Sequence, residues 1–270
     1  MAESGFDRAR FGARLATHLL GRHLVARAEV ESTNDTAWEA FAVGAPEGTV
    51  VVADTQTHGR GRAGRRWHTE PGRGLALSVL LAPGCDRGLL GVVPLGAGLA
   101  LAVALERLGV ATELKWPNDV LRGGRKLSGV LCESRGPASR GEIGTAVVIG
   151  VGVNVSERRE DFPAEIRERT TSLALEGFAL DRETVAAEFL NALEPLWTAL
   201  EEGGAEVVLD AWRARASFWG TVVQVRTPAG EVRGVARALD PGGGLVLGLE
   251  AGAETTVTAG DVEWAPSGTP

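Results

Sequence analysis

The spacing of apolar residues along the chain predicts a mixture of helices and strands. It predicts a helix over 7–20, a strand over 24–30 and further strands over 49–53 and 75–81. The segment between the last two strands is rich in glycine and arginine and has no periodicity, so we expect a long loop there. This part of the chain therefore predicts a mixed α/β core.

The central part continues the mixture. The uncharged stretch over 88–105 is the one candidate for a membrane span, but Gly91 and Pro94 interrupt it. We expect a buried helix from about 95 to 108 instead. Strands are predicted over 111–116, 120–122, 126–133 and 143–155.

The pattern changes again after residue 181. Helical spacing over 181–200 and 208–213 predicts two helices that complete the first unit. Beyond Gly220, short alternating segments are joined by turns rich in glycine and proline, which is typical of a small β-barrel. The sequence therefore predicts one large and one small domain.

The composition narrows the class of protein. The chain has 270 residues, with 28 basic and 35 acidic side chains and a net charge of −7, which argues against a general binder of nucleic acid. Cys85 and Cys132 are too few for a disulfide framework or a four-ligand zinc site, and the four histidines are scattered. We expect a reducing, cytoplasmic location, since residues 1–22 lack the apolar core of a secretory signal.

All but two of the 28 basic residues are arginine, and the exceptions are Lys115 and Lys126. Two lysines kept in such a chain indicate a site that needs a compact ammonium group. A two-residue turn at 123–124 would place Lys126 opposite Leu121, with Lys115 and Asp119 on the same side. The alternatives are chance and an ordinary hairpin with solvated lysines.

The long loop contains four arginines within seven residues, namely Arg60, Arg62, Arg65 and Arg66. Its glycines match the pattern G-x-G-x-x-G, but no helix begins after them, so we do not expect a dinucleotide site. The arginines predict instead a site for phosphate or carboxylate. A basic arm that binds nucleic acid is the alternative.

Two shorter patterns, at 150–154 and at 31–34, are compatible with either a functional or a structural role. Gly150 and Gly152 lie on one face of a strand that leads to Asn154, and such glycines often mark the close approach of a ligand or another backbone, with packing as the alternative. Ser32 predicts a helix N-cap within the run 31–34, where a functional use is equally open.

Together these segments resemble the biotin protein ligases, also called biotin–[acetyl-CoA-carboxylase] ligases. The shared motifs are ESTN at 31–34, Gln56 with GRGRAGRRW at 59–67, KWPND at 115–119, KLSG at 126–129 and GVGVN at 150–154. The resemblance spans roughly 24–264. It implies an α+β fold, with a mixed-sheet catalytic domain of the biotin/lipoate ligase type over 1–216 and an SH3-like β-barrel over 217–270.

The resemblance also implies the reaction. Biotin and ATP, with Mg²⁺, form biotinyl-5′-AMP and pyrophosphate, and the biotinyl group then passes to a lysine of the biotin carboxyl carrier domain of a carboxylase. The implied protein is cytoplasmic and monofunctional, because no room for a DNA-binding module precedes residue 24. No DNA and no membrane partner is expected, and a homodimer is left open.

The site residues implied by the resemblance form overlapping sets. The set for biotin is Ser32, Thr33, Asn34, Gln56, Arg60, Gly61, Arg62, Lys126, Gly129 and Gly152. The set for ATP and the adenylate is Arg60, Arg62, Arg65, Trp67, Lys115, Asn118, Asp119, Lys126 and Asn154. Lys126, Arg60 and Arg62 would be catalytic, and Asp119 would organise Mg²⁺. The segment 156–171, which covers adenine in the family, contains no tryptophan to stack on the base.

A lipoate ligase or octanoyltransferase of the same fold is the nearest alternative. The arginine-rich loop and the motif at 115–119 favour biotin over it. A nucleic-acid-binding module is the more distant alternative, and it predicts salt-sensitive binding to DNA.

Overall fold

The first unit is built on a mixed sheet of seven strands. The computed structural model describes residues 3–82, 90–136, 146–250 and 252–264. In chain order the strands of this sheet are β1 (Leu24–Val30), β2 (Val50–Gln56), β3 (Leu75–Leu81), β4 (Glu113–Lys115), β5 (Asp119–Arg122), β6 (Arg125–Arg135) and β7 (Ala146–Val153). Their order in the sheet is β1-β2-β3-β7-β6-β5-β4, with β1 and β2 parallel and the other neighbours antiparallel.

Helices cover both faces of this sheet. In the described residues they are α1 (Arg8–Arg14), α2 (Thr33–Ala42), α3 (Val93–Arg107), α4 (Arg182–Glu201) and α5 (Ala205–Arg213). The helices α3 and α4 pack together on one face, and α2 packs against β2, β3 and β7 on the other face. The first turn of α2 therefore lies over the middle of the sheet.

The strand β3 shows how the two faces are covered. All of its residues are buried. Leu77 and Val79 belong to the core that α3 and α4 complete, whereas Leu80 packs in a second cluster with Trp38 of α2. A strand that is buried on both faces reads as a continuous apolar run, which is the pattern in this sequence.

The membrane-like stretch is the core helix α3. It begins at Val93, close to the predicted start, and eleven of its fifteen residues are buried. Residues 88 and 89 lie outside the described part of the chain. In the described ranges, no helix combines the length and the apolar character that crossing a bilayer requires.

The C-terminal unit is a five-stranded antiparallel sheet. Its strands are β8 (Val222–Thr227), β9 (Gly230–Leu239), β10 (Leu245–Gly248), β11 (Glu254–Val257) and β12 (Asp261–Trp264). Their order is β11-β10-β9-β8-β12, so β11 and β12 are the two edges within the described residues. The indole of Trp116 donates to the carbonyl of Gly243 at 3.0 Å and so connects this sheet to the first unit.

The predicted helix over 7–20 is wrong in its second half. The helix α1 ends at Arg14, and Leu15 has an extended backbone. The N–H groups of residues 18–20 donate to the carboxylate of Glu194 on α4. A contact across the chain thus replaces the helical hydrogen bonds that the local spacing predicts.

The other predicted elements are present with small differences in their bounds. The bounds of β1 and β3 agree with the prediction, and the predicted strand at the C-terminal end is divided into β11 and β12. Cys85 and the predicted beginning of the strand at 143–145 lie outside the described residues.

Candidate active site

The site residues predicted from the sequence all lie around one cavity of about 700 Å³. Its walls come from the start of α2, the end of β2, the arginine-rich loop, the strands β4 to β7, the segment 162–170 and the strand β12. The fold therefore brings together the predicted biotin set and the predicted ATP set. The roles within each set depend on the contacts of the individual side chains.

Glycines of β6 and β7 form the floor of the cavity. A Cβ atom at Gly152 would lie no more than 2.6 Å from three indole atoms of Trp67. A Cβ atom at Gly150 would lie 3.0 Å from Cγ of Asn34. Side chains of the protein therefore approach both glycines, which is the packing alternative rather than the approach of a ligand or another backbone. Gly150 and Gly152 are two residues apart, so they are neighbours on the same face of β7. Asn34 and Trp67 therefore lie beside each other over that face.

The start of α2 and the end of β2 form an uncharged part of the cavity. The backbone N–H and the hydroxyl of Thr33 both lie in hydrogen-bond range of Oε1 of Gln56, at 2.9 and 3.1 Å. These contacts orient the Gln56 amide and direct its Nε2 donors away from Thr33. Ser32 is the residue before α2, and its hydroxyl caps no backbone N–H of that helix. Gln56 and Ser32 are therefore the side chains best placed to bind an uncharged polar ring.

A buried hydroxyl outside the motifs supports this part of the cavity. Oγ of Ser78 on β3 lies 2.6 Å from Oδ1 of Asn34 and 2.8 Å from Oγ1 of Thr33. Nδ2 of Asn34 donates to Glu133 at 2.9 Å. Both ends of the Asn34 amide are therefore used by the protein. This geometry favours a positioning role for Asn34 over the direct contact with biotin that the resemblance implies.

Arg60 lies against carboxylates at the beginning of the arginine-rich loop. Its Nη2 donates to Oδ1 of Asp35 at 2.8 Å, its Nη1 also contacts that carboxylate, and Glu133 lies at 3.3 Å. The hydrogen bond to Asp35 is the main cause that raises the pKa of Arg60. Because two carboxylates compensate its charge, the geometry does not favour the predicted contact of Arg60 with phosphate.

Arg62 and Arg65 extend from the loop to the C-terminal sheet. Nη1 of Arg62 donates to Oδ1 of Asn118 and to the carbonyl of Gly260, each at 3.2 Å. Nη2 of Arg65 forms an ion pair with Asp261 at 2.7 Å. Burial is the main cause that lowers the pKa of Arg62, which takes part in none of the ion pairs of the described residues. Arg62 therefore brings to the cavity a half-buried positive charge that no carboxylate of the described residues pairs with.

The predicted arrangement of the two lysines is present. Lys126 lies opposite Leu121, and its Nζ is 2.6 Å from Oδ1 of Asp119. Lys115 pairs with Asp119 across β4 and β5. Burial is the main cause that lowers the pKa of Lys115, and the charge of Asp119 opposes this change. Two ammonium groups thus flank one carboxylate, which leaves net positive charge beside the cavity.

Comparison with known proteins places this site in a family. The profile described as Biotin/lipoate A/B protein ligase family matches residues 26–154, and the Biotin protein ligase C terminal domain matches residues 220–264. The Bifunctional ligase/repressor BirA of Bacillus spizizenii is 36% identical over 256 residues, which cover 94% of this chain and 77% of that protein. The chain belongs to the biotin protein ligase family.

Other biotin protein ligases are similar to a comparable extent. The Biotin--[acetyl-CoA-carboxylase] ligase of Mycobacterium tuberculosis is 36% identical over 249 residues, with coverage of 89% of this chain and 88% of that protein. The structure of the biotin protein ligase from Aquifex aeolicus in complex with biotin and ATP matches with a TM-score of 0.76 and 30% identity, over 90% of this chain and 98% of that chain. The resemblance and the fold class predicted from the sequence are therefore confirmed.

In this biotin protein ligase, Asn154 holds the segment that lines the other side of the cavity. Its Nδ2 donates to the carbonyl of Thr171 at 2.9 Å, which joins the end of β7 to the end of the segment 156–171. Phe162 and Ile166 of this segment line the cavity. Apolar side chains are therefore present on the wall where the sequence has no tryptophan.

A buried carboxylate lies in the same segment. Glu157 is 2% exposed, and its Oε2 has no hydrogen-bond partner among the described residues. Burial raises the pKa of Glu157 to about 7. A Cβ atom at Gly74 would lie 3.4 Å from the carboxyl carbon of Glu157, so the start of β3 leaves room for this side chain.

The predicted magnesium ligand has other partners. The carboxylate of Asp119 is held by Lys126, and the described residues contain no group of three or more His, Cys, Asp or Glu side chains that could hold a metal ion. Mg²⁺ takes oxygen ligands in near-octahedral geometry and avoids neighbouring cations. The residues around Asp119 therefore do not fit the predicted magnesium site.

Residues outside the motifs hold the predicted side chains in place. They are Asp35, Ser78, Glu133, Gly260 and Asp261. Ser78 carries a sequence signal, because it is the single polar residue of the apolar run 75–81. The residues of the C-terminal sheet carry none, since no local pattern connects them with a loop nearly two hundred positions earlier.

Proposed function

We propose that the chain is an ATP-dependent ligase that forms biotinyl-5′-AMP and transfers the biotinyl group to a lysine of a biotin carrier domain. The observation that carries this proposal is one cavity in which an uncharged polar part adjoins a cationic part. Thr33 and Gln56 belong to the first part, and Arg62, Lys115 and Lys126 belong to the second. Biotin has the same division, because its ureido ring is uncharged and its carboxylate is anionic.

The first step joins two anions. A carboxylate oxygen of biotin attacks the α-phosphorus of ATP, and the bond from that phosphorus to the bridging oxygen of pyrophosphate breaks. Repulsion opposes the approach, so fixed positive charge beside the reacting oxygens lowers the barrier. Lys126 and Arg62 supply this charge in the proposal, and Asp119 holds the ammonium group of Lys126 in place at 2.6 Å.

The second step transfers the activated group. The neutral ε-amino group of the carrier lysine attacks the carbonyl carbon of the mixed anhydride, and AMP leaves. Water also attacks the adenylate, so the site has to protect this intermediate until the carrier arrives. Arg62 and Arg65 are anchored on Asn118 and Asp261, and these anchors support a role of the loop in excluding water.

Further parts of the proposal rest mainly on the sequence. Mg²⁺ accompanies the phosphates of ATP, with no protein ligand assigned to it. The two separate sheets support a division into domains over 1–216 and 217–270. The net charge of −7 supports the absence of a DNA partner, whereas a homodimer and a cytoplasmic location stay predictions.

Intact-mass spectrometry of a carrier domain tests the proposed function. The purified chain is incubated with ATP, Mg²⁺ and the carrier domain, together with biotin, lipoate or octanoate in separate reactions. We expect a biotinyl adduct on one lysine, and no adduct on a carrier in which that lysine is replaced by arginine. The family profile also covers lipoate ligases, so a lipoyl or octanoyl adduct without a biotinyl adduct would show that the substrate is wrong.

A further inference from the structure

One carboxylate joins two parts of the site that are far apart in the sequence. Oε2 of Glu133 on β6 accepts hydrogen bonds from Nδ2 of Asn34 at 2.9 Å and from Nε1 of Trp38 at 3.3 Å, both on α2. Its Oε1 lies 3.3 Å from Nη2 of Arg60 in the arginine-rich loop. The beginning of α2 and the beginning of the loop therefore meet on Glu133.

Asp35 provides the second anchor of the loop. It follows Asn34 on α2, and its two carboxylate oxygens contact the two terminal nitrogens of Arg60. Such a paired contact fixes the orientation of the guanidinium plane as well as its distance. Neither Asp35 nor Glu133 lines the cavity. Both carboxylates therefore act on the site through the side chains that they hold.

The contacts of Glu133 continue to the uncharged part of the cavity. Asn34, which Glu133 holds, is in contact with the buried Ser78, and Ser78 is in contact with Thr33. Thr33 in turn orients Gln56. A chain of hydrogen-bonding side chains thus leads from the proposed ring-binding groups to the arginine-rich loop.

We propose that Glu133 is a positioning residue that couples the ring-binding groups to the arginine-rich loop, with Asp35 as the second anchor of Arg60. This inference rests on the proposed function for its effect on the reaction. It assigns Arg60 to holding the loop across the cavity, while Arg62 faces the reacting groups. Weakening Glu133 should disturb both biotin binding and loop position, whereas weakening Asp35 should disturb mainly the loop.

Limited proteolysis with trypsin measures the position of the loop without any ligand. Trypsin cleaves after arginine, and the loop offers four such sites between 60 and 66. We expect Glu133→Gln and Asp35→Asn to accelerate cleavage at these sites about tenfold, the order expected when charge-assisted hydrogen bonds of partly exposed groups are lost. Glu106→Gln is the matched control, because Glu106 also pairs with an arginine, at 2.9 Å, and does not line the cavity.

Kinetics then separate positioning from a general loss of structure. Glu133→Gln should raise the KM for biotin and release more biotinyl-adenylate into solution, with the KM for ATP and the thermal unfolding midpoint close to those of Glu106→Gln. Asp35→Asn should release adenylate with a nearly unchanged KM for biotin. Loop cleavage in both variants at the rate of the control would overturn the inference. If the unaltered chain forms no adenylate while the variants still differ in cleavage, the proposed function fails and the anchoring stands.

Discussion

Gly152→Ala is the substitution whose effect follows most directly from the geometry of the cavity. The new Cβ would lie no more than 2.6 Å from three indole atoms of Trp67, whereas ordinary contacts of a Cβ begin at 3.4 Å. The indole is a rigid plane, so it has to move by about 1 Å or the strand has to bend. In either case Trp67 no longer lies on the glycine floor in the position that the present cavity requires.

The expected cost can be stated from this overlap. Forcing an extra methyl group into a packed site costs about 1–3 kcal/mol. In the free protein the indole relieves the overlap by moving into the cavity, but a bound ligand occupies that space and the strain returns. If the full cost falls on the complex, biotin binds about 5- to 150-fold more weakly, since 1.4 kcal/mol corresponds to a factor of ten.

Titration calorimetry with biotin measures this effect, and the chain offers a matched control. Gly129 pairs with Gly152 across β6 and β7. A Cβ atom at Gly129 would lie 3.2 Å from the flexible end of Lys126 and 3.4 Å from Trp67, so Gly129→Ala requires only a small adjustment. We expect Gly129→Ala to bind biotin within about threefold of the unaltered chain. Equal affinities of Gly152→Ala and Gly129→Ala for biotin would refute the reasoning.

Three further substitutions test other parts of the site. Lys126→Ala should slow adenylate formation by about 100-fold or more, because an uncompensated carboxylate must approach phosphate; near-normal release of pyrophosphate would contradict its role. Arg62→Gly removes the contacts with Asn118 and Gly260, so free biotinyl-adenylate should rise and lysines of a bystander protein should be labelled; chromatography that finds no rise would exclude the role of the loop in retention. Glu157 has a pKa raised to about 7 from the ordinary 4.5. Between these two pH values the folded chain holds a proton that the unfolded chain releases, so the free energy of unfolding falls as the pH rises from about 4.5 to 7. Urea unfolding should therefore show Glu157→Gln becoming more stable relative to the unaltered chain between pH 5 and pH 8, by at most about 3 kcal/mol. If the difference in free energy of unfolding between the two chains is the same at both pH values, the raised pKa of Glu157 is contradicted.

Local patterns in the sequence were sufficient for much of the fold and for the cationic hairpin. The two glycines at 123–124 predict a turn that places Lys126 opposite Leu121, and the structure has this pair. The pairing shifts between Val120 and Leu121, so the register set by the turn extends as far as Leu121 and changes beyond it, although Lys126 still reaches Asp119. Turn geometry determines register only as far as the hairpin stays regular.

The parts that local patterns could not predict depend on contacts between distant segments. The glycines of β7 indicate a close approach, but they do not show that Asn34 and Trp67 make it. Arg60 pairs with Glu133 on β6, and Arg65 pairs with Asp261 on β12. Both partners lie far along the chain from the loop. Charge alone predicts an anion site for these arginines, and only the fold shows that carboxylates of the protein already compensate two of them.

Biotin-dependent exchange between ATP and labelled pyrophosphate tests most directly whether this cavity joins the vitamin to the nucleotide. The exchange requires that the adenylate forms and that this step reverses, and it does not require a carrier protein. We predict exchange that requires biotin, is absent with lipoate and is lost in Lys126→Ala. Exchange that proceeds equally without biotin, or no exchange when biotin is bound, would contradict the proposed chemistry.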